Sequence, residues 1–132
     1  MILVDSSVWI DFFNGRESPE VSLLYNTFGK QIIVTGDLIM VEILQGFNKE
    51  SDFKIAKEVL ESLPFFNLSN KDLAVKAAIN YRILRKNGIA IRKTIDMVIA
   101  TFCIEQKIQL LHNDRDFDSL AFHLNLQIFK AQ

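Results

Sequence analysis

Short apolar runs alternate along the chain with longer segments in which apolar residues recur at helical spacing. The short runs are rich in β-branched and aliphatic residues, so they predict strands at residues 2–5, 31–35, 65–68, 108–111 and 126–129. The longer segments predict helices at residues 6–13, 19–28, 38–47, 53–63, 71–86, 95–104 and 119–123. Strands separated by helices predict a single α/β domain, residues 1–132, with a mostly parallel sheet.

The composition fits this picture. Of the 132 residues, 49% are hydrophobic and 23% are charged, which suffices for one core of ordinary size. No apolar stretch reaches the roughly 18 residues of a membrane span, and no basic segment ahead of an apolar run suggests a secretory signal. The single cysteine, Cys103, fits a reducing compartment. We therefore expect a cytoplasmic protein with no membrane association.

Five carboxylates lie in apolar surroundings or directly after strands: Asp5, Glu42, Asp96, Asp114 and Asp116. Each has a plain structural interpretation. Asp5 can cap the first helix, and Glu42 can be solvated. Asp96 can favour the dipole of its helix, which Thr94 is predicted to cap, and the two loop acids can form Asx turns.

The predicted topology favours a common site instead. The carboxyl ends of parallel strands meet at one edge of the sheet, so Asp5, Asp96 and the loop with Asp114 can reach one crevice. Two carboxylates about 4 Å apart repel by about 4 kcal/mol at an effective dielectric constant near 20. A cation would relieve this repulsion, and oxygen ligands without nearby His or Cys favour Mg²⁺ or Mn²⁺. That combination indicates a metal-dependent nuclease.

Other motifs that use acids fit poorly. The spacing of Asp114, Asp116 and Asp118 is that of a calcium loop, but Ser119 and Asn125 stand where an EF-hand needs Gly and Glu. The segment after Asp5 lacks the second Asp of haloacid-dehalogenase-type phosphatases. No glycine-rich nucleotide-binding motif occurs.

Basic residues concentrate in one stretch although the net charge is only −1. Between Leu73 and Ile95 there are six basic residues and no acid: Lys76, Arg82, Arg85, Lys86, Arg92 and Lys93. This stretch is either a solvated surface or a rim that binds a nucleic-acid backbone beside the acids. Arg92 and Lys93 are the nearer candidates and Arg85 a further one. Arg115 can bind RNA or neutralise the two acids beside it.

Four sequence segments together resemble the PIN-domain family, and more narrowly the VapC-type toxins of toxin–antitoxin pairs. They are ILVDSSVWIDFF at the start, VEILQG around Glu42, GIAIRKTIDMVIATFC around Asp96, and NDRDFD at residues 113–118. In this order they cover almost the whole chain. By position, Asp5, Glu42, Asp96 and Asp116 match the acidic quartet of the family.

The resemblance implies further properties. Asp114 matches an additional acid of many members, and whether Asp114 or Asp116 contacts the metal directly stays open. Ser6 matches a hydroxyl residue that can orient the first acid. The family implies a three-layer α/β/α sandwich, a Mg²⁺-dependent endoribonuclease (Mn²⁺ can substitute), a homodimer and a cognate antitoxin that covers the active site. Alternatives are a PIN-like nuclease acting on DNA or precursor RNA, and a non-catalytic protein-binding module.

Overall fold

A parallel four-stranded sheet forms the centre of the computed structural model, which describes residues 1–130. Its strands lie in the order β3-β2-β1-β4, and every pair is parallel. They are β1 (Ile2–Val4), β2 (Ile33–Gly36), β3 (Phe65–Phe66) and β4 (Gln109–Leu111). The two central strands, β1 and β2, are buried at every residue, which explains their unbroken apolar character.

Seven helices cover the sheet: α1 (Ser6–Phe13), α2 (Pro19–Thr27), α3 (Asp37–Leu44), α4 (Glu50–Glu61), α5 (Lys71–Lys86), α6 (Thr94–Gln106) and α7 (Asp116–Leu124). Helix α1 contacts α2 and α3, and α3 contacts α4, while α6 contacts both α5 and α7. From β1 through β2 to β3 the chain moves across the sheet in one direction, and from β3 it crosses back to β4 at the other edge. Right-handed crossovers therefore place helices α1 to α4 on one face of the sheet and helices α5 to α7 on the opposite face. The predicted three-layer α/β/α sandwich is confirmed. None of the helices within residues 1–130 has the length and apolarity needed to cross a membrane.

Two predicted elements differ at the C-terminal end. The predicted strand at residues 126–129 is only a single bridge between Leu110 and Ile128, because the backbone pairs with β4 through the N–H groups of Leu110 and Phe129 alone. Helix α7 begins at Asp116, three residues earlier than predicted. Asp116 is therefore in a first helical turn, where its charge is favourable.

The start of α6 also differs from the prediction. Thr94 is its first residue rather than its cap, and Lys93 occupies the N-cap position without a side-chain hydrogen bond to the helix. The free N–H groups of this end are favourable for a nearby carboxylate. Asp96 lies in this first turn and is 3% exposed. The helix is otherwise buried along most of its length, as predicted.

Candidate metal centre

The acids meet where the order of the strands reverses. Strand β1 has β2, next along the chain, on one side and β4, the last strand, on the other. Open parallel sheets bind ligands at such a point, outside the carboxyl ends of the strands. The N–H of Asp5 donates to the carbonyl of Leu111 over 2.9 Å, so the ends of β1 and β4 lie side by side. The loop after β4 is thereby brought next to Asp5.

Ser7 holds the carboxylate of Asp5. Asp5 Oδ2 accepts the backbone N–H of Ser7 at 3.1 Å and its hydroxyl at 2.6 Å. The Ser7 Oγ in turn accepts the N–H of Asn113 at 3.1 Å. Asp5 is thus the N-cap of α1, as its plain interpretation predicts, and is also tied to the loop after β4. Its other oxygen, Oδ1, is buried and has no hydrogen-bond partner among residues 1–130.

Ser6 contacts a different acid from the one expected. Its hydroxyl donates to Glu42 Oε1 over 3.2 Å, and the side-chain bond to Asp5 comes from Ser7. The expectation that Ser6 orients Asp5 is corrected on this point. Because α1 and α3 pack against each other, Ser6 can reach Glu42 from the neighbouring helix. Glu42 is partly buried rather than fully solvated.

Three acids come close enough to share one ion. Asp96, Asp114 and Asp116 each offer a carboxylate oxygen within 4.8 Å of the other two, a set that does not include Asp5 or Glu42. Asp114 Oδ1 accepts the N–H of Asp116 over 3.0 Å, which fixes the turn that presents both side chains. This is the predicted Asx turn. Asp96 Oδ2 is buried and has no partner in the part of the chain that the structure describes.

Burial and mutual repulsion raise the pKa values of three of the acids. Burial, and after it the charge of Asp5, are the main causes that raise the pKa of Asp96 to about 7. Burial also raises the pKa of Asp5. The pKa of Glu42 is raised mainly by burial and, to a smaller extent, by the charge of Asp5. Lys93 lowers the pKa of both Asp96 and Glu42, so it lies near enough to offset part of the repulsion. Asp5, Glu42 and Asp96 therefore act on one another electrostatically.

Arg92 is the cation that directly contacts the acids. Its Nε lies 3.1 Å from Asp116 Oδ2, and its Nη2 lies 3.6 Å from Asp114 Oδ1. Arg115, which was expected either to neutralise these acids or to bind RNA, forms no ion pair within residues 1–130. Arg85 lies with its guanidinium 5.7 Å from the centre of the Tyr81 ring on α5. The exposed Arg92 side chain therefore partly neutralises two proposed metal ligands.

His112 supports the loop that carries Asp114, a role that the sequence did not predict. Its Nδ1 accepts the N–H of Asp114 over 3.1 Å, and its Nε2 lies 3.4 Å from Asp118 Oδ1. An accepting Nδ1 requires the neutral ring with its proton on Nε2. Burial lowers the pKa of His112, which favours that neutral form. A histidine two residues before an acid, directly after a strand, was the only signal of this role in the sequence.

The donor set fits a hard divalent cation. The acids supply only oxygen, and two buried carboxylate oxygens, Asp5 Oδ1 and Asp96 Oδ2, have no hydrogen-bond donor among residues 1–130. A buried carboxylate without a partner is costly, and a bound cation would remove that cost. Mg²⁺ prefers a small number of carboxylates together with water. The site can therefore hold such an ion.

Comparison with known proteins identifies the family. A model of the PIN domain family matches residues 2–123. The chain belongs to the PIN domain family. Among its relatives within that family is ribonuclease VapC11 of Mycobacterium tuberculosis, which is 31% identical over 131 residues that cover 96% of each chain. The resemblance to VapC-type PIN proteins is confirmed.

Solved structures of PIN-domain proteins share this fold. VapBC2 of Rickettsia felis, bound to a DNA fragment from its promoter, superposes with a TM-score of 0.75 at 17% identity and covers 98% of both chains. VapC20 of M. tuberculosis, a toxin that cleaves the sarcin–ricin loop, gives a TM-score of 0.69 at 16% identity over 90% of this chain and 94% of its own. At these identities the likeness establishes the PIN fold alone.

Proposed function

We propose that this PIN-domain protein is a Mg²⁺-dependent endoribonuclease and the toxin of a toxin–antitoxin pair. The observation that carries the proposal is the convergence of Asp96, Asp114 and Asp116 within 4.8 Å, beside Asp5 with its unpartnered oxygen. This arrangement occurs in a chain 31% identical to a protein named a ribonuclease. PIN nucleases are metal-dependent, and the oxygen-only donor set supports Mg²⁺, with Mn²⁺ as its substitute.

The proposed ligands are Asp5, Asp96, Asp114 and Asp116. Asp5 Oδ1 and Asp96 Oδ2 are buried oxygens without a hydrogen-bond partner among residues 1–130, so they are available to coordinate. The bound ion supplies Lewis-acid stabilisation of the phosphoryl oxygen and lowers the pKa of water. Ser7 and His112 keep Asp5 and the Asp114 loop in position through the hydrogen bonds described above.

Glu42 is proposed as the proton acceptor from the attacking water. Its Oε1 accepts the Ser6 hydroxyl, which leaves Oε2 free to take a proton. Burial and the charge of Asp5 raise its pKa, and a carboxylate with a raised pKa is the stronger base. Ser6 therefore orients the base in this proposal.

The basic residues are proposed to bind the RNA backbone. Arg92 now pairs with Asp114 and Asp116, and its exposed guanidinium would be able to contact a phosphate in bidentate fashion if these two acids held a cation instead. Lys93 lies beside it, and Arg85 and Arg115 are more distant contacts. Because their contribution is electrostatic, RNA binding should weaken as the salt concentration rises.

We propose that this chain pairs with an antitoxin. A solved structure that shares its fold is a toxin–antitoxin complex from Klebsiella pneumoniae. We also propose a homodimer, which rests on the resemblance to VapC-type toxins alone.

Cleavage assays with and without metal test the function. Purified protein is incubated with a structured RNA and with DNA of the same sequence, in Mg²⁺, in Mn²⁺ and in EDTA. We expect RNA cleavage in either metal, none in EDTA, and a strong loss in Asp5→Asn. Equal cleavage in all arms would show a contaminating nuclease, equal cleavage of DNA would favour the DNA-nuclease alternative, and no cleavage of either substrate would favour the non-catalytic module.

Ser7→Ala is expected to weaken Mn²⁺ binding by about 10- to 100-fold, because residues that orient metal ligands typically contribute that much. The substitution removes the 2.6 Å hydrogen bond to Asp5 and the acceptor for the Asn113 N–H. Calorimetric Mn²⁺ titration measures the effect. Ser22→Ala, at an exposed position on α2, is the matched control. Mn²⁺ affinity in Ser7→Ala equal to that of the wild type would contradict the role given to Ser7.

A further inference from the structure

Two neighbouring cavities extend away from the acids along α2. The first, of about 320 Å³, lies between the start of α2, the loop at residues 111–115 and the segment at residues 128–130, and Asp114 lines it. The second, of about 420 Å³, shares Leu23, Phe129 and Lys130 with the first. The two cavities therefore adjoin along these three residues, and the first of them reaches Asp114, one of the proposed metal ligands.

The first cavity suits a flat, unstacked ring. Its lining includes the apolar residues Leu23, Leu111 and Ile128 and the aromatic residue Phe129. His112, Asn113 and Arg115 also line it, together with the acids Glu20, Asp114 and Asp118, and its volume is at the lower end of the range of ligand pockets. Unstacked bases of RNA bind between aromatic or apolar side chains, with polar groups meeting their edges.

The second cavity suits a phosphate. Among residues 1–130, its lining contains two charged residues, Lys30 and Lys130, together with the polar residues Asn26, Thr27 and Gln31 and with Leu23 and Phe129. The first cavity, in contrast, carries both signs of charge. Two lysines without an acid in the lining attract a nucleic-acid backbone.

We propose that these cavities bind single-stranded RNA next to the bond that is cut. One unstacked base occupies the first cavity against Phe129, and the following phosphate lies between Lys30 and Lys130. The proposal rests on the proposed ribonuclease function and adds where on the protein surface the nucleotide beside the cut is bound. Continuity with Asp114 and the two lysines favour a nucleotide over a protein segment in this position.

Binding of a short RNA to matched variants tests the proposal. The full chain is titrated into a fluorescently labelled, single-stranded octaribonucleotide of mixed sequence and into the same RNA as a duplex. Ca²⁺ replaces Mg²⁺, and the RNA is checked for cleavage on a gel. We expect Phe129→Leu and Lys30→Glu each to weaken single-strand binding at least about fivefold, the lower end of what one stacked base contributes.

Two control variants carry the same changes elsewhere. Phe122→Leu alters a phenylalanine that is 84% exposed on α7, and Lys54→Glu reverses an exposed charge on α4. Neither residue lines either of these two cavities, so both variants should bind within twofold of the wild type. If thermal unfolding shows that Phe129→Leu is not folded, the exposed Lys30 decides the test alone.

Three outcomes overturn the proposal. If the wild type binds and cuts RNA but Phe129→Leu and Lys30→Glu bind normally, the cavities are not the RNA site although the nuclease function stands. If RNA binding is unchanged but the variants lose a co-purified protein partner, the cavities bind protein. If the wild type neither binds nor cuts any RNA, this proposal and the proposed function fall together.

Discussion

Asp96→Asn is expected to lower the rate of RNA cleavage by about a hundredfold or more while the protein stays folded. Substitution of a residue that only orients a metal ligand typically lowers metal affinity or activity 10- to 100-fold, and Asp96 is itself a proposed ligand. Its carboxylate lies within 4.8 Å of those of Asp114 and Asp116 and has a buried oxygen without a partner among residues 1–130. An amide has nearly the same shape but no charge to hold the cation. Cleavage time courses in Mg²⁺ and calorimetric Mn²⁺ titration measure both effects.

Asp52→Asn is the matched control for this substitution. Both acids lie in the first turn of a helix, but Asp52 is exposed on α4. The control therefore removes the same favourable interaction with a helix dipole without touching the site. Cleavage by Asp96→Asn within a fewfold of the wild-type rate would contradict the metal-ligand role of Asp96.

The fold could be predicted because its signals are local. The central strands are short apolar runs, and the helices show their apolar spacing and their caps, such as Ser18 before α2 and Asn70 before α5. The segment at residues 126–129 has the same apolar character as a strand. It nevertheless forms only a single bridge, between Leu110 and Ile128. How far a segment pairs with a neighbouring strand depends on its tertiary surroundings, which its composition does not encode.

The acids of the site could be predicted, but the residues that hold them could not. Carboxylates that follow predicted strands can be recognised in a sequence. Since the carboxyl ends of parallel strands lie at one edge of the sheet, such carboxylates can be expected to lie near one another. Ser7 and Asn113 are 106 positions apart, and only the parallel pairing of β1 with β4 makes their hydrogen bond possible. The sequence suggests Arg115 as the cation that can neutralise the loop acids, whereas Arg92, expected as an RNA contact, is the residue that pairs with them. Which of them reaches the acids depends on how the segment before α6 folds over α7.

The metal-free protein is expected to lose stability as the pH rises from 5 to 8. The pKa of Asp96 is about 7 in the folded protein, against 3.8 for an ordinary aspartate. Between these values the folded state keeps a proton that the unfolded state releases, so unfolding becomes easier as the pH rises. Between pH 5 and the pKa of about 7, this difference amounts to about 2.7 kcal/mol at 1.36 kcal/mol per pH unit, and structural relaxation should reduce the observed loss to about 1–3 kcal/mol. The raised pKa values of Asp5 and Glu42 act in the same direction.

His112 acts in the opposite direction, and a variant separates the two effects. Burial lowers the pKa of His112 below 6.5, so the folded protein gains stability from this residue as the pH rises through that range. Urea unfolding in EDTA measures the free energy of unfolding at pH 5 and pH 8. From pH 5 to pH 8 this free energy should decrease in the wild type, and it should decrease less, or increase, in Asp96→Asn. Mn²⁺ should stabilise the wild type more at pH 8 than at pH 5, because the ion binds the ionised carboxylates. Identical pH dependence in the two proteins would mean that Asp96 ionises freely in the folded state, and the electrostatic basis of the metal site would be lost.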